Sequence, residues 1–201
     1  MFFLIYINDI INCNVNAKTT LFADDTSILY KDKNLTVLKQ KAKEGMANVY
    51  DWLLSNKLSL SWEKTFFMVY HSPRKKINDF HELKVRNFSI KRVTDLIYLG
   101  MHLDDQLKWD IHVKHICNSL SRNFHMFYSL RPLLSHDLKK QLYYALVHSR
   151  IVYGIELYGA CRDSLLKKVQ IMQNKLLKVL NNLPYRTDTN ALHSNLQLHM
   201  Y

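Results

Sequence analysis

A chain of 201 residues is long enough to bury a sizeable core, either as one domain or as two small lobes. Apolar residues make up 48% and charged residues 22%, which excludes general disorder, while only 4 Gly and 3 Pro argue against a many-turned β sandwich and for long helices with a few strands. The formal net charge of +11 fits a polyanionic partner such as nucleic acid, and from Trp109 onward 12 basic residues face 5 acidic ones.

The opening MFFLIYI runs about seven residues before Asn8 and Asp9. A membrane span needs roughly eighteen, so the segment is read as buried, with its natural beginning missing, and no membrane partner is expected. It also lacks the basic region and cleavage site of a signal peptide. TLFADDTSILY, from Thr20 to Tyr30, sets two short apolar runs either side of Asp24 and Asp25, the pattern of strand, turn, strand. From Asn34, an N-cap residue type, Leu35, Leu38, Ala42, Met46, Val49 and Leu53 recur at helical spacing. Leu58, Leu60 and Trp62 alternate with polar residues, and Thr65 to Tyr70 is β-branched and aromatic, so strands are expected there. Pro73 to Lys76 reads as a basic connection, and a further strand pair ends at YLGMHLD, Tyr98 to Asp104.

Beyond Trp109 the period lengthens towards 3.6, with Val113, Ile116, Leu120, Phe124 and Phe127 on one stripe. Pro132 breaks it and Ser135 can cap a second stripe of Leu138, Leu142, Leu146 and Val147. A third runs through Leu165, Val169, Met172, Leu176 and Val179 and stops before Pro184. The boundary between the two lobes is expected near residues 105 to 109.

Two readings compete for Asp24 and Asp25. Aspartate is common in solvated turns for local hydrogen-bonding reasons. Alternatively, a hairpin turn can hold two hard oxygen ligands in a cleft, as magnesium or manganese in a nucleotide-transfer site requires. His112 and His115 stand at i and i+3 near Cys117 but lack a fourth ligand, so a structural role is preferred and no zinc is expected. Cys13, Cys117 and Cys161 are odd in number and form no Cys-x-x-Cys pair, which points to a reducing, intracellular compartment, cytoplasm or nucleus.

Five stretches, FLIYINDI (Phe3 to Ile10), LFADDT (Leu21 to Thr26), NKLSLSWEKT (Asn56 to Thr65), YLGMHLDDQLKWDIH (Tyr98 to His112) and QNKLLKVL (Gln173 to Leu180), resemble in order and spacing the reverse transcriptases of non-LTR, LINE-type and jockey-like, retrotransposons. The resemblance implies an α+β fold: a partial polymerase palm over 1–105, a small mixed or antiparallel sheet with a packed helix, followed by an all-helical thumb over 106–201. It implies Asp24 as a direct ligand of Mg2+ or Mn2+ and Asp25 as its support. Lys64 falls where the family places a basic residue near the incoming nucleotide, though a solvated lysine at a strand start reads the same. Tyr98, Leu99, Gly100 and Met101 resemble the strand pair beneath the primer end, with Gly100 either a close backbone approach or a simple bend. Lys114, Arg122, Lys139, Lys140, Lys167, Lys168, Lys175 and Lys178 are expected either to contact phosphates of a template and primer duplex or to lie on solvated helix faces.

The resemblance also implies a further aspartate on an earlier palm strand, and fingers, which would precede FLIYINDI. Asp9 matches the ordinary aspartate of that stretch and not the metal ligand. Three expectations follow: an inactive piece of an RNA-directed DNA polymerase, a non-catalytic nucleic-acid-binding module derived from a mobile element, or a polymerase completed by another chain. In each the partners are an RNA template and an RNA/DNA or DNA primer duplex, with metal binding weak or absent in the isolated chain.

Overall fold

The computed structural model describes residues 2–14, 17–75, 77 and 80–189. Helices and small sheets mix in an α+β architecture, and the chain divides into two compact units between Thr94 and Asp95. Lys76 of the expected basic connection and the last segment, ALHSNLQLHMY, lie outside the described residues.

The first unit opens with a short helix, α1 (Phe2–Tyr6), and a 3-10 segment, Asn8–Cys13. The expectation of a buried opening is overturned: Phe3, Leu4, Ile5 and Tyr6 are exposed, while Ile7 and Ile10 are buried. A single short helix with apolar side chains on every side can turn only one stripe inward. The hairpin β1 (Lys18–Phe22) and β2 (Asp25–Leu29) follows, antiparallel, with Phe22 opposite Asp25.

Helix α2 (Leu35–Ser55) begins where expected, because Asn34 Oδ1 accepts from the Thr36 N–H at 2.8 Å. It ends in a Schellman turn: Lys57 takes φ 54°, the Leu58 N–H donates to Leu53 O at 2.8 Å and the Lys57 N–H to Leu54 O at 3.0 Å. Val49 and Gly45 are buried on its inner face. Leu35, Ala42, Met46 and Ala47 pack on a core of Val69, Phe80, Leu83, Val85 and Ile90.

The strand expected at Leu58 to Trp62 is absent. The chain is irregular there and closes into a 3-10 turn, Trp62–Lys64, followed by the two-residue strand β3 (Phe66–Phe67). Alternation alone cannot make a strand without a partner to bond, and Trp62 instead stacks on Phe88 with ring centroids 4.1 Å apart. β3 runs parallel to β5 (Phe88–Arg92), which pairs antiparallel with β4 (Glu82–Val85). The sequence reading did not anticipate the β4–β5 hairpin, whose turn includes Arg86 at φ 55°.

The second unit joins the hairpin β6 (Asp95–Tyr98) and β7 (Met101–Asp104) to the helices α3 (Asp110–Ser121), α4 (Asn123–Leu130), α5 (His136–Tyr143), α6 (Ser149–Val152), α7 (Ile155–Tyr158) and α8 (Asp163–Leu180). Met101 shares a core with Val113, Ile116, Leu120, Phe127, Leu176 and Leu180, so contact groups this hairpin with the helices although its sequence period belongs to strands. Trp109 enters α3 at φ 67°, held because the Asp104 carboxylate accepts N–H groups from Gln106, Lys108 and Trp109.

The first helical stripe is carried by α3 and α4, which part at Arg122. Ser135 caps α5 through the Leu138 N–H as expected, but Leu138 itself is exposed. The buried line is Tyr143, Val147 and Ile151. A spacing of four drifts around an α-helix of 3.6 residues per turn, and the π-helical turn Tyr144–His148 takes up that drift. In α8, Leu165, Val169, Leu176, Leu177 and Leu180 are buried, with Gln173 donating to Tyr143 Oη at 2.5 Å among them. Among the described residues no helix is long and apolar enough to cross a membrane.

Candidate functional site

The β1–β2 connection has only two residues, Ala23 and Asp24, with Ala23 at φ 52°. Positive φ at the first turn position matches the right-handed twist of the flanking strands, so the tip closes without splaying them. Asp24 occupies the turn and Asp25 opens β2, so the two carboxylates are adjacent on a short rigid tip. Both side chains are exposed, and among the described residues neither forms an ion pair or side-chain hydrogen bond. Asp25 shares a strand face with Thr20, Phe22, Ser27 and Leu29, and on that face Phe22 and Leu29 are exposed at 59% and 55%.

Two hard oxygen donors on one turn suit magnesium or manganese, which commonly take one or two carboxylates and leave other positions to water and phosphate. In this sense the pair fits the metal. No group of three His, Cys, Asp or Glu side chains that could hold an ion occurs among the described residues. Lys64 ends the 3-10 turn in the same unit, with its side chain exposed.

In the second unit, Tyr98 closes β6 while Leu99 and Gly100 form the turn at φ 47° and 78°. An added Cβ at Gly100 would meet Tyr153 only at ordinary contact distances of 3.5 Å and beyond, so the glycine is required by its positive φ and not by crowding from the described residues. Leu99, with a side chain in the left-handed region, is strained by about 1–2 kcal/mol. The Tyr153 hydroxyl donates to its carbonyl and holds the turn.

The basic residues are spread over three helices. Lys114 lies on α3 and Arg122 caps its end, Lys139 and Lys140 lie on α5, and Lys167, Lys168, Lys175 and Lys178 lie on α8. Lys114, Arg122, Lys167 and Lys168 are exposed, whereas Lys139, Lys140, Lys175 and Lys178 are half-buried. Lys178 is engaged locally, donating to Tyr185 O at 2.6 Å with its ammonium 5.6 Å from the Tyr185 ring centre.

His112 is buried, and its Nδ1 accepts from the His102 N–H at 3.4 Å. Burial, then the charges of His102 and His115, lowers its pKa to about 4. His115, on the exposed side of α3, is also lowered, by burial first and then by His102, Arg122 and Arg150. Burial pushes the Cys117 thiol up, against the opposing charge of Lys168, so it is a poor nucleophile. The sequence reading assigned no role to His102 or Arg150, which fold back on α3 from β7 and α6; His102 lies within the Tyr98 to His112 stretch and Arg150 in none of the five.

The chain is similar over most of its length to RNA-directed DNA polymerases of mobile elements. It is 21% identical to that of mobile element jockey from Drosophila funebris over 180 residues, 88% of this chain and 19% of the relative. It is 22% identical to the probable enzyme from transposon BS of Drosophila melanogaster over 191 residues, 89% of this chain and 20% of the relative. It is 30% identical to the probable enzyme from transposon X-element of Drosophila melanogaster over 104 residues, 50% of this chain and 12% of the relative. The chain thus spans about a fifth or less of the length of these relatives. No family model and no solved structure matches it.

Proposed function

We propose that this chain is the palm and thumb portion of an RNA-directed DNA polymerase of a non-LTR retrotransposon, with residues 1–105 contributing to the palm and 106–201 to the thumb. The carrying observation is the exposed, adjacent pair Asp24 and Asp25 at a two-residue hairpin tip. Similarity to the jockey and BS polymerases over nearly nine-tenths of the chain supports the same reading.

In this reading Asp24 is a direct ligand of Mg2+ or Mn2+ and Asp25 supports it. When bound, such ions supply charge stabilisation to both the attacking and the leaving oxygens of nucleotide transfer. The hairpin's contribution is to hold two carboxylates at a fixed place without costly rearrangement. Lys64 offers a cation to the triphosphate, and the Tyr98–Leu99–Gly100 turn supports the primer end. The cations of α3, α5 and α8 bind backbone phosphates of an RNA template and its RNA/DNA or DNA primer duplex, with little sequence preference.

A second reading, a nucleic-acid-binding module without chemistry, is favoured by the size of the donor set, since no third ligand joins the aspartates among the described residues. As an isolated polypeptide the chain is therefore proposed to bind primer and template yet fail to extend the primer. The test is incorporation of labelled nucleotide on a primed RNA template, with magnesium and then manganese, comparing the chain with Asp24→Ala. Incorporation that vanishes in Asp24→Ala would overturn the inactive reading. Absence of any primer–template binding at low salt would overturn both.

A further inference from the structure

We propose that His102, His115, Arg122 and Arg150 form an anion site that takes a backbone phosphodiester of a bound nucleic-acid strand. The proposal rests on the reading of the helical unit as a nucleic-acid grip, and it joins to Arg122, which that reading already sets against phosphate, three groups it leaves unassigned: His102, His115 and Arg150.

His115, Ser119 and Arg122 are spaced by four and three residues, which puts them on one side of α3 and its C-cap. Ser119 is buried, and two guanidinium groups converge on it. Arg150 Nη1 donates to Ser119 Oγ at 2.6 Å and to Ser119 O at 3.0 Å, while Arg122 Nη2 reaches the same hydroxyl at 3.4 Å. The His102 ring, brought in by β7, lies 4.4 Å from that of His115 between centroids. Three elements distant in sequence therefore bring four cationic or protonatable groups together.

Among the described residues, the charges that act on His115 include no carboxylate. The groups acting on His115 are His102, Arg122 and Arg150, all of which disfavour its protonation, and the other ring alongside is His112. The ion pair of Arg162 with Asp110, at 2.7 Å, involves none of these four groups. Like charges this close raise the free energy of the unliganded protein, and an anion in their midst removes that cost. Because Ser119 anchors Nη1 of Arg150, the remaining N–H groups of that fork are held in place. They have no partner among the described residues. Planar forks with fixed donors suit phosphate oxygens better than a point charge does.

A phosphate there also favours the protonated imidazole of His115, so binding takes up a proton. Because the free site holds His115 below the ordinary histidine value of 6.5, affinity for nucleic acid then rises as pH falls through and below that value. An acidic protein segment would be drawn by the same charge, but the +11 balance and the polymerase relatives favour a nucleic-acid strand.

The test uses the full 201-residue chain and a fluorescent primer–template duplex, titrated by anisotropy over a range of KCl at pH 6 and pH 8. The expected result for Arg122→Gln/Arg150→Gln is affinity lower by about tenfold and a salt dependence shallower by about one to two phosphates. His115→Gln should flatten the gain on acidification. Arg150 also bonds a backbone carbonyl, so Arg122→Gln alone, at an exposed position, provides the variant that leaves the fold intact, with circular dichroism as the check. Wild-type affinity, salt slope and pH response in both Arg122→Gln and His115→Gln would overturn the site while leaving nucleic-acid binding by the chain in place. No duplex binding by the wild type at low salt would overturn the wider reading with it. Inorganic phosphate displacing the duplex at equal or lower concentration than unlabelled oligonucleotide would assign the site to free phosphate and overturn the backbone contact.

Discussion

Tyr30 lies against the bare backbone of Gly45, where a Cβ would come 2.0 Å from its hydroxyl oxygen and 2.7 Å from Cζ. The contact ties the residue after β2 to the middle of α2, so it anchors the root of the aspartate hairpin within the first unit. A mid-helix glycine costs about 1 kcal/mol relative to alanine in helix propensity. Overpacking a filled contact costs about 1–3 kcal/mol. Gly45→Ala should therefore lower stability on balance, and Gly45→Ala/Tyr30→Ala should recover part of the midpoint in urea denaturation. A rise in midpoint for Gly45→Ala alone would show that propensity outweighs packing here.

Two glycines of the second unit should respond unequally to alanine. At Gly100 only the positive φ of 78° opposes a side chain, because its nearest neighbour is at 3.5 Å. At Gly154, φ is 71° and a Cβ would stand 2.4 Å from Met101 Sδ. Gly100→Ala should cost about 1–2 kcal/mol from backbone conformation, and Gly154→Ala should cost more, by about 1–3 kcal/mol of overpacking. Thermal or urea unfolding of the pair measures the difference, and equal losses would mean that Met101 moves aside freely.

His112 should make stability depend on pH in a defined window. Its pKa is lowered to about 4 in the folded chain, against an ordinary value of 6.5. The unfolded state thus binds more protons between those values, and stability rises with pH there. The contribution is complete above about pH 6.5 and is lost as pH falls towards 4, with His115 shifted in the same direction. Melting temperatures should fall on acidification through this window, and His112→Phe should flatten that fall. An unchanged slope in the variant would assign the dependence to other groups.

Metal binding at Asp24 and Asp25 should be weak in the isolated chain, in about the millimolar range, since most coordination positions fall to water. Calorimetric titration with Mn2+ should give that range for the wild type and lose the signal in Asp24→Asn. A tight site surviving Asp24→Asn would show that the metal binds elsewhere in the chain.

How much of this was legible in the sequence varies with the distance over which each feature is decided. The caps at Asn34 and Ser135, the aspartate hairpin and the first and third helical stripes rest on neighbours within a few residues and stand where spacing put them, whereas the second stripe turned, leaving Leu138 exposed and burying Tyr143, Val147 and Ile151. Leu58 to Trp62 failed because alternation describes a surface and not a partner, and Trp62 found Phe88, 26 residues on, in place of a strand.

The sequence by itself determined the α+β class, the hairpin that presents Asp24 and Asp25, and the basic character of the helical half, because periodicity, turn length and charge are local properties. Tertiary structure decided which cations act together. Arg150 meets Ser119 from 31 residues away, and His102 reaches His115 across a strand-to-helix connection. No spacing rule encodes such a meeting. It follows from the packing of β7 and α6 on the same face of α3, where burial and chain reversal bring like charges together that the linear order keeps apart.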